Sequence, residues 1–562
     1  MIAKIVDNHW IYLIQMPVEV EKSISDHFSV RDPRAHYIDS EFWDGWYRKY
    51  DAKNRRLSIA FLDELKTYMT RIDVPLEIFD ERPPIERKTE DQVTKDMLAG
   101  VTLEDYQIGA IKSTCNNEIG NIMAPTGAGK TEIICGIVKL HDCPSVIITE
   151  QTVVLNQIVD RLQIRKVSEK VDKFCHGHLP TGRKIMVGSI QSIFVPTKPN
   201  KVKITLNRNQ VFSRLLKMIE RKDENLTKIL PPVLVDAMMR NPEGVLKLKG
   251  TYYALVFNYL RDLEYDKRKK WHATRYDNAD IIKEALSTSD MICVDEADLA
   301  STTQYSKLFR TVFNGRRRFG FSGTFDDPGR PIQNLFIKEN LGSVIYKVPR
   351  QEVQERGRII PVRPIFIIVG KDGDKNDRRA YDIAMREEII ENEVLHNKIK
   401  TVVDSFPKDK TLILLDTSPI GELGMALMEK IPGSRFLWNK SSRPERDECL
   451  KMFEGGELGC LIGGKIFQRG LDLLGGVDNL IIVGGGKQHS NINQMVGRAV
   501  RRNARGWARI FLFFFLNNKY LYSHSRENIK AIAGLGYNSK VWVGNKLIDG
   551  NKFIKSRFRI PK

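Results

Sequence analysis

Ala124-Pro125-Thr126-Gly127-Ala128-Gly129-Lys130-Thr131 sits between two stretches of opposite character. Asn121-Ile122-Met123 before it reads as the end of a buried strand, and Glu132–Leu140 after it as a helix with an apolar face. Strand, glycine-rich turn and helix in that order are the context of a phosphate-binding loop. Gly127 and Gly129 let backbone N–H groups turn inward around phosphate oxygens, with Thr126 and Ala128 between and before them. The helix starting near Lys130 aims the positive end of its dipole at the same charge. Lys130 is placed to reach β- and γ-phosphates, and the Thr131 hydroxyl to bind Mg²⁺. The first position of the GxxxxGK[ST] pattern is Ala124 rather than glycine.

At 562 residues the chain is too long for one core, and three or four domains are expected. With 42% hydrophobic and 28% charged residues it has an ordinary globular composition. No stretch approaches the roughly 20 apolar residues of a bilayer span, so no membrane partner is expected. The run Ile510–Leu516 is too short for one and reads as a buried strand. Met1–Asp7 lacks the apolar core of a signal peptide. The 7 cysteines are scattered and odd in number, which suits reduced thiols and a cytoplasmic location. Cys175-His176-Gly177-His178 has no CxxC partner, so no zinc site is expected. The net charge of +19 points to a polyanion, with nucleic acid the default.

Residues 1–81 read as a small α+β domain. Its segment Phe42-Trp43-Asp44-Gly45-Trp46-Tyr47, with Arg48, Lys49, Arg55 and Arg56, is either a base-stacking and phosphate-gripping surface or a hairpin with a packed tryptophan. Residues 82–98 are charged and carry Pro83-Pro84, and read as a linker. From residue 99 strands and helices alternate, as in a parallel sheet covered on both faces. Helices are expected at 210–221, 252–263 and 281–286, within an insertion at 196–286 that breaks the alternation. Lys267-Arg268-Lys269-Lys270-Trp271 is either a solvated helix face or a nucleic-acid contact. Met291–Val294 then deliver Asp295 and Glu296 to a sheet's C-terminal edge, where Asp295 suits Mg²⁺ and Glu296 the attacking water. Phe319–Thr324 is one more strand with hydroxyls, Ser322 and Thr324, at its tip. A second alternating series begins near 350, with helices such as 379–405 and strands ending in 509–515. It has no phosphate loop of its own. Its polar motifs are Gln468-Arg469-Gly470-Leu471-Asp472 and Gln494-Met495-Val496-Gly497-Arg498-Ala499-Val500-Arg501.

In this order Gln107, the loop, Asp295-Glu296-Ala297-Asp298, Ser322-Gly323-Thr324, Gly470-Leu471-Asp472 and Gln494-x-x-Gly497-Arg498-x-x-Arg501 resemble the motif set of superfamily 2 helicases. The Asp-Glu-Ala-Asp tetrapeptide is shared with DEAD-box RNA helicases. Thr149-Glu150-Gln151, Ser322-Gly323-Thr324 and Asn493-Gln494 depart from that family's patterns. The chain is more similar to the UvsW-type recombination helicases of phages and their DNA-repair relatives. Trp43-Asp44-Gly45, Gly188-Ser189-Ile190-Gln191 and Gly357 before Ile359-Ile360-Pro361 add to that likeness. Glu150 and Gln151 stand where that family usually has Pro-Thr, and the insertion has no counterpart in it.

The resemblance implies an α/β fold of two RecA-like parallel-sheet lobes in tandem. Lobe one is expected at 99–348, lobe two at 349–516 and a basic tail at 517–562, with the N-terminal domain a DNA-binding candidate. It implies an ATPase whose cofactors are ATP and Mg²⁺. Gln107 would recognise adenine, Gln494, Gly470 and Asp472 would line the nucleotide site, and Arg498 and Arg501 would act as arginine fingers. Ser322 and Thr324 would couple hydrolysis to movement. Ser189, Gln191 and Thr417 would touch DNA, mostly its backbone. The implied activity is a 3′→5′ DNA helicase or translocase remodelling branched DNA, in a bacterial or phage-infected cytoplasm. Three alternatives remain: an RNA helicase, the motor subunit of a nuclease or restriction complex, and an ATP-gated DNA-binding module without turnover. No protein partner follows from the residues.

Overall fold

The structure, a computed structural model, describes residues 1–562 except 34, 36–42, 151, 176–177, 195–205, 207, 242–249, 328, 371–378, 418, 465–475, 485–491, 493–494, 498, 544–545, 551 and 554–562. For 152–153, 209, 267–277 and 443 it describes the backbone alone. The chain forms two compact units. The larger comprises 1–172, 183–188 and 287–562, and the smaller 173–182 and 189–286. Among the described residues no helix is long and apolar enough to cross a membrane.

In the larger unit, runs such as Val146-Ile147-Ile148 and Met291–Val294 are apolar without alternation, because both faces of a parallel sheet are covered. Six strands lie in the order Val344–Lys347, Ile119–Met123, Arg317–Ser322, Met291–Asp295, Ser145–Ile148, Ile185–Gly188, all parallel. The strands ending at Met123, Ser322 and Asp295 are therefore neighbours, and their polar tips emerge side by side at one edge.

A second sheet orders Ser434–Leu437, Cys460–Gly463, Thr411–Asp416, Asn479–Gly484, Ala508–Phe515, Val362–Val369, Lys540–Val543 and Lys546–Asp549. Its pairs are parallel except the last. Phe511, Phe513 and Phe515 pack with Ile413, Leu415 and Ile481 in its core, so the apolar run at 510–516 is a central strand. Two parallel α/β sheets in tandem agree with the expected fold class.

The first 80 residues form a four-stranded sheet, Arg56–Ser58, Trp10–Ile14, Ile2–Ile5 and Glu77–Asp80, under the helices Val18–His27 and Leu62–Arg71. Trp43-Asp44-Gly45 belongs to a turn before the strand Trp46–Arg48, with Gly45 at φ +84° and Asp44 Oδ1 accepting from Trp46 N at 3.1 Å. Trp43 packs edge-on to Tyr47, as the hairpin alternative anticipated, and Phe42 lies outside the described residues.

Three expectations need correction. Residues 379–405 are not one helix: Tyr381–Met385, a π turn at Arg386–Ile390 and Glu393–Asp404 follow each other. Asn392 accepts from Leu395 N at 3.1 Å and restarts the helix as an N-cap. The helices expected at 252–263 and 281–286 are parts of a single 38-residue helix, Gly250–Ser287. Nothing between 251 and 286 is Gly or Pro, so no residue breaks it. The tail expected from 517 is instead a helix, Lys519–Gly534, and two strands of the second sheet, with Leu521, Ile529, Ile532 and Val541 buried. The Lys- and Arg-rich composition belongs to 538–562, whereas 519–534 carries only Lys519, Arg526 and Lys530 beside its apolar stripe. Residues 554–562 lie outside the described residues.

The smaller unit carries Arg208–Glu220, Pro232–Arg240 and part of the long helix around its own core of Val211, Leu215, Leu226, Val235, Val256 and Leu260. Side chains of 267–271 are outside the described residues.

Candidate nucleotide site

The loop after Ile119–Met123 needs left-handed backbone at two places. Gly127 has φ +90° and Gly129 +79°. A Cβ on Gly127 would lie 2.6 Å from Ile359 Cγ2, and one on Gly129 2.4 Å from Gln107 Nε2. Both glycines are thus required twice, by conformation and by space. Ala124 is fully buried with a negative φ, so its methyl adds no strain where the pattern has glycine. The helix Lys130–His141 starts at Gly129 with no side-chain cap, leaving its first N–H groups turned to whatever the loop holds.

Gln107 is 5% exposed, beneath the loop. Its Nε2 donates to Ala128 O at 3.0 Å and its Oε1 accepts from Glu104 N at 3.0 Å, so both ends of the amide engage the chain's own backbone. Arg358 and Arg356, from the chain entering the second sheet, pair with Glu104 and Asp105 at 2.8 and 2.9 Å. The loop is held from both sides.

Lys130 Nζ lies 3.3 Å from Glu296 Oε1. Burial alone would lower the Lys130 pKa, but Glu296, Asp295 and Asp298 outweigh it and hold the amine above its ordinary value. The Asp295 pKa is raised as well, but here burial is the cause: burial, with the Glu296 charge adding to it, outweighs the opposing Lys130. Its Oδ1 is buried with no hydrogen-bond partner. Glu296 adopts φ +51°, ψ +49°, uncommon for a residue with a Cβ. That turn separates it from the strand, leaving its side chain 38% exposed over the loop. Ser322 Oγ donates to Asp298 Oδ1 at 2.9 Å and accepts from Thr324 N at 3.3 Å, linking the tips of adjacent strands.

A cleft is lined by Lys130, Glu296, Ser322 and Thr324 on one side and by Arg350, Gly497 and Val500 on the other. Gly497 approaches the loop so closely that a Cβ would stand 2.8 Å from Thr126 Oγ1. Burial lowers the Arg501 pKa to about 10, and the guanidinium remains charged near neutrality. Gly470, Asp472, Gln494 and Arg498 lie outside the described residues. Thr417 follows the strand Thr411–Asp416, with Oγ1 buried and unpartnered. Ser189 and Gln191 belong to the smaller unit, Ser189 opening the short helix Ile190–Ile193 and contacting Ser192 Oγ at 3.0 Å. Among the described residues no cluster of three metal-ligating side chains occurs.

Arg350 was not anticipated. It lines the cleft, stacks on Tyr537 at 4.6 Å and donates to its hydroxyl at 2.5 and 3.1 Å. No motif surrounds it, and Tyr537 lies in the stretch expected to be a tail; only the tertiary fold joins them.

The family model "Helicase conserved C-terminal domain" matches residues 396–503, and "Type III restriction enzyme, res subunit" matches 100–226. No curated protein sequence matches the chain. Similar solved structures include bacteriophage T4 UvsW, 14% identical over 96% of this chain and 98% of that one, with a TM-score of 0.38. S. cerevisiae Dbp5 bound to RNA and ADP BeF3 is 12% identical over 81% and 96%, with a TM-score of 0.47. A fragment of a putative HsdR subunit of a type I restriction enzyme from Vibrio vulnificus is 14% identical over 94% and 83%, with a TM-score of 0.47. These two family domains, in this order along two parallel sheets, support an ATP-hydrolysing helicase of superfamily 2.

Proposed function

We propose that this helicase acts on DNA, translocating 3′→5′ on one strand and remodelling branched substrates. The observation that carries the motor is the cleft, where groups from two sheets face one another across a few ångströms. The DNA preference is supported by Ser322-Gly323-Thr324, Trp43-Asp44-Gly45 and the Gln494–Arg501 motif, which resemble the UvsW-type pattern rather than the DEAD-box one.

In this reading the backbone of Thr126–Gly129 cradles the triphosphate. Lys130 leaves Glu296 for the β- and γ-phosphates, since a phosphate oxygen is a stronger partner than a half-exposed carboxylate. Glu296, released, orients the attacking water and accepts its proton. The donor set fits Mg²⁺: the buried Asp295 Oδ1 is orphaned, and Thr131 stands in the first turn of the helix Lys130–His141. Bound there, Mg²⁺ would neutralise charge on the β- and γ-oxygens. Arg498 and Arg501 stabilise the charge developing on the transferred group, and such a finger contributes about 10³–10⁵ in rate. By the resemblance, Gln494, Gly470 and Asp472 are proposed for the same site. Gln107 supports the loop through Ala128 O and reaches adenine once that bond is exchanged. Closure of the cleft moves the lobes along the strand, with Ser322 and Thr324 transmitting it. Ser189, Gln191 and Thr417 are the proposed DNA contacts.

The test is the steady-state ATPase rate without nucleic acid and with single-stranded DNA, a four-way DNA junction or single-stranded RNA, each at two salt concentrations. Strongest stimulation by the junction or single-stranded DNA, weakening with salt, supports the proposal. Stimulation by RNA alone replaces it with an RNA helicase. The match at 100–226 favours a second reading, the motor subunit of a restriction or nuclease complex, which predicts turnover only with a partner subunit present.

A further inference from the structure

Outside the cleft, the second sheet gathers three arginines on one indole. Val362–Val369 and Ala508–Phe515 run parallel and place Arg363 directly opposite Arg509. Like charges so placed disfavour a sheet. Trp507 precedes the second strand, and the guanidinium carbons of Arg363, Arg509 and Arg505 lie 4.0, 4.7 and 5.1 Å from its ring centre. Arg509 also stacks on Phe406 at 4.1 Å. Asp409 serves two of the cations: it pairs with Arg505, and its Oδ2 accepts from Arg509 Nη1 at 3.1 Å. Arg363 is exposed, its contact is the indole, and it has no ion-pair partner among the described residues. Burial and the Arg505 charge lower the Arg509 pKa, Arg363 adding to them, although Asp409 opposes all three. Positive charge is therefore left over, on planar groups already held by aromatic stacking. None of these residues lines the nucleotide cleft.

We propose that the Arg363–Trp507–Arg509 stack, with Arg505, is a second nucleic-acid contact that binds backbone phosphates. The guanidinium fork matches a phosphate in a bidentate way that an ammonium does not, and stacking fixes its plane beforehand. The contact rests on the proposed function above, in that the substrate is nucleic acid, and its test separates the two.

Fluorescence anisotropy of a labelled four-way DNA junction, titrated with the full-length protein at four salt concentrations, reads affinity and salt slope together. Arg363→Glu, at an exposed position, is expected to weaken binding about fivefold and to lower the slope of log K against log salt by about 1. Arg363→Lys is expected to keep the slope while losing part of the affinity. Affinity and slope equal to wild type in Arg363→Glu would overturn the contact, as would lost affinity at unchanged slope, since a phosphate contact must release counterions. Arg363→Glu with a lowered melting temperature is read through Arg363→Lys: a slope falling in the lysine variant as well would overturn the proposal. A wild-type protein that binds neither DNA nor RNA would sink the nucleic-acid function itself.

Discussion

Gly497→Ala separates closure of the cleft from stability of the fold. The added Cβ would stand 2.8 Å from Thr126 Oγ1, 3.1 Å from Thr126 Cβ and 3.3 Å from its Cγ2. Overpacking of this kind costs about 1–3 kcal/mol. Thr126 belongs to the loop of the first sheet and Gly497 to the motif beside the second, so the penalty falls on the closed arrangement alone. Within its own helical turn alanine is favoured over glycine by up to about 1 kcal/mol. Closure is thus expected to be disfavoured about 5- to 150-fold with little loss of melting temperature. The assay is the ATPase rate at saturating ATP and DNA, set beside a thermal melt. Wild-type turnover would refute the reasoning by showing that hydrolysis does not need this approach. A melting temperature several degrees lower would refute it differently, making the contact part of one rigid core.

Lys130→Ala is expected to slow ATP hydrolysis by about 10²–10³-fold, by loss of a phosphate donor, while leaving DNA binding measurable by anisotropy; full turnover would remove the loop from the mechanism. His141 is buried, and burial, then Arg317 and Lys88, push its pKa down to about 3. The folded value lies below the unfolded value of about 6.5, so this contribution to stability is complete above pH 6.5 and is lost as pH falls toward 3, at up to about 1.4 kcal/mol per unit. Denaturant unfolding at pH 7 and pH 5 should show a loss near 2 kcal/mol that His141→Gln removes; equal losses in both proteins would exclude His141 as its source. Lys49 Nζ lies 2.6 Å from Glu339 Oε2, both side chains at most 5% exposed, and joins the small N-terminal domain to the helix Pro331–Leu341. Lys49→Met should cost about 3 kcal/mol and speed proteolysis between residues 82 and 98; unchanged melting and digestion would show that Arg310 suffices for Glu339.

Much of this molecule is legible one segment at a time. Gly127 and Gly129 announce positive φ, Met291–Val294 announce a strand covered on both faces, and Asp295-Glu296 mark its tip. Where charge and apolar character mix, local reading fails. Lys519–Gly534 is hidden in sequence by the Lys- and Arg-rich stretch 538–562 that follows it, and 379–405 reads as continuous because the Asn392 cap acts only once the helix is placed.

The sequence by itself determined the parallel α/β class, the phosphate loop and the order of motifs along the chain. These follow from backbone sterics and from burial of contiguous apolar runs, which act over a few residues. Only the tertiary structure decided that Gln107 spends both ends of its amide under the loop, that Arg350 reaches the cleft on Tyr537, and that Gly497 must be small because Thr126 lies against it. Each joins groups far apart in sequence, and such contacts are set by how whole sheets and helices pack, which no local propensity encodes.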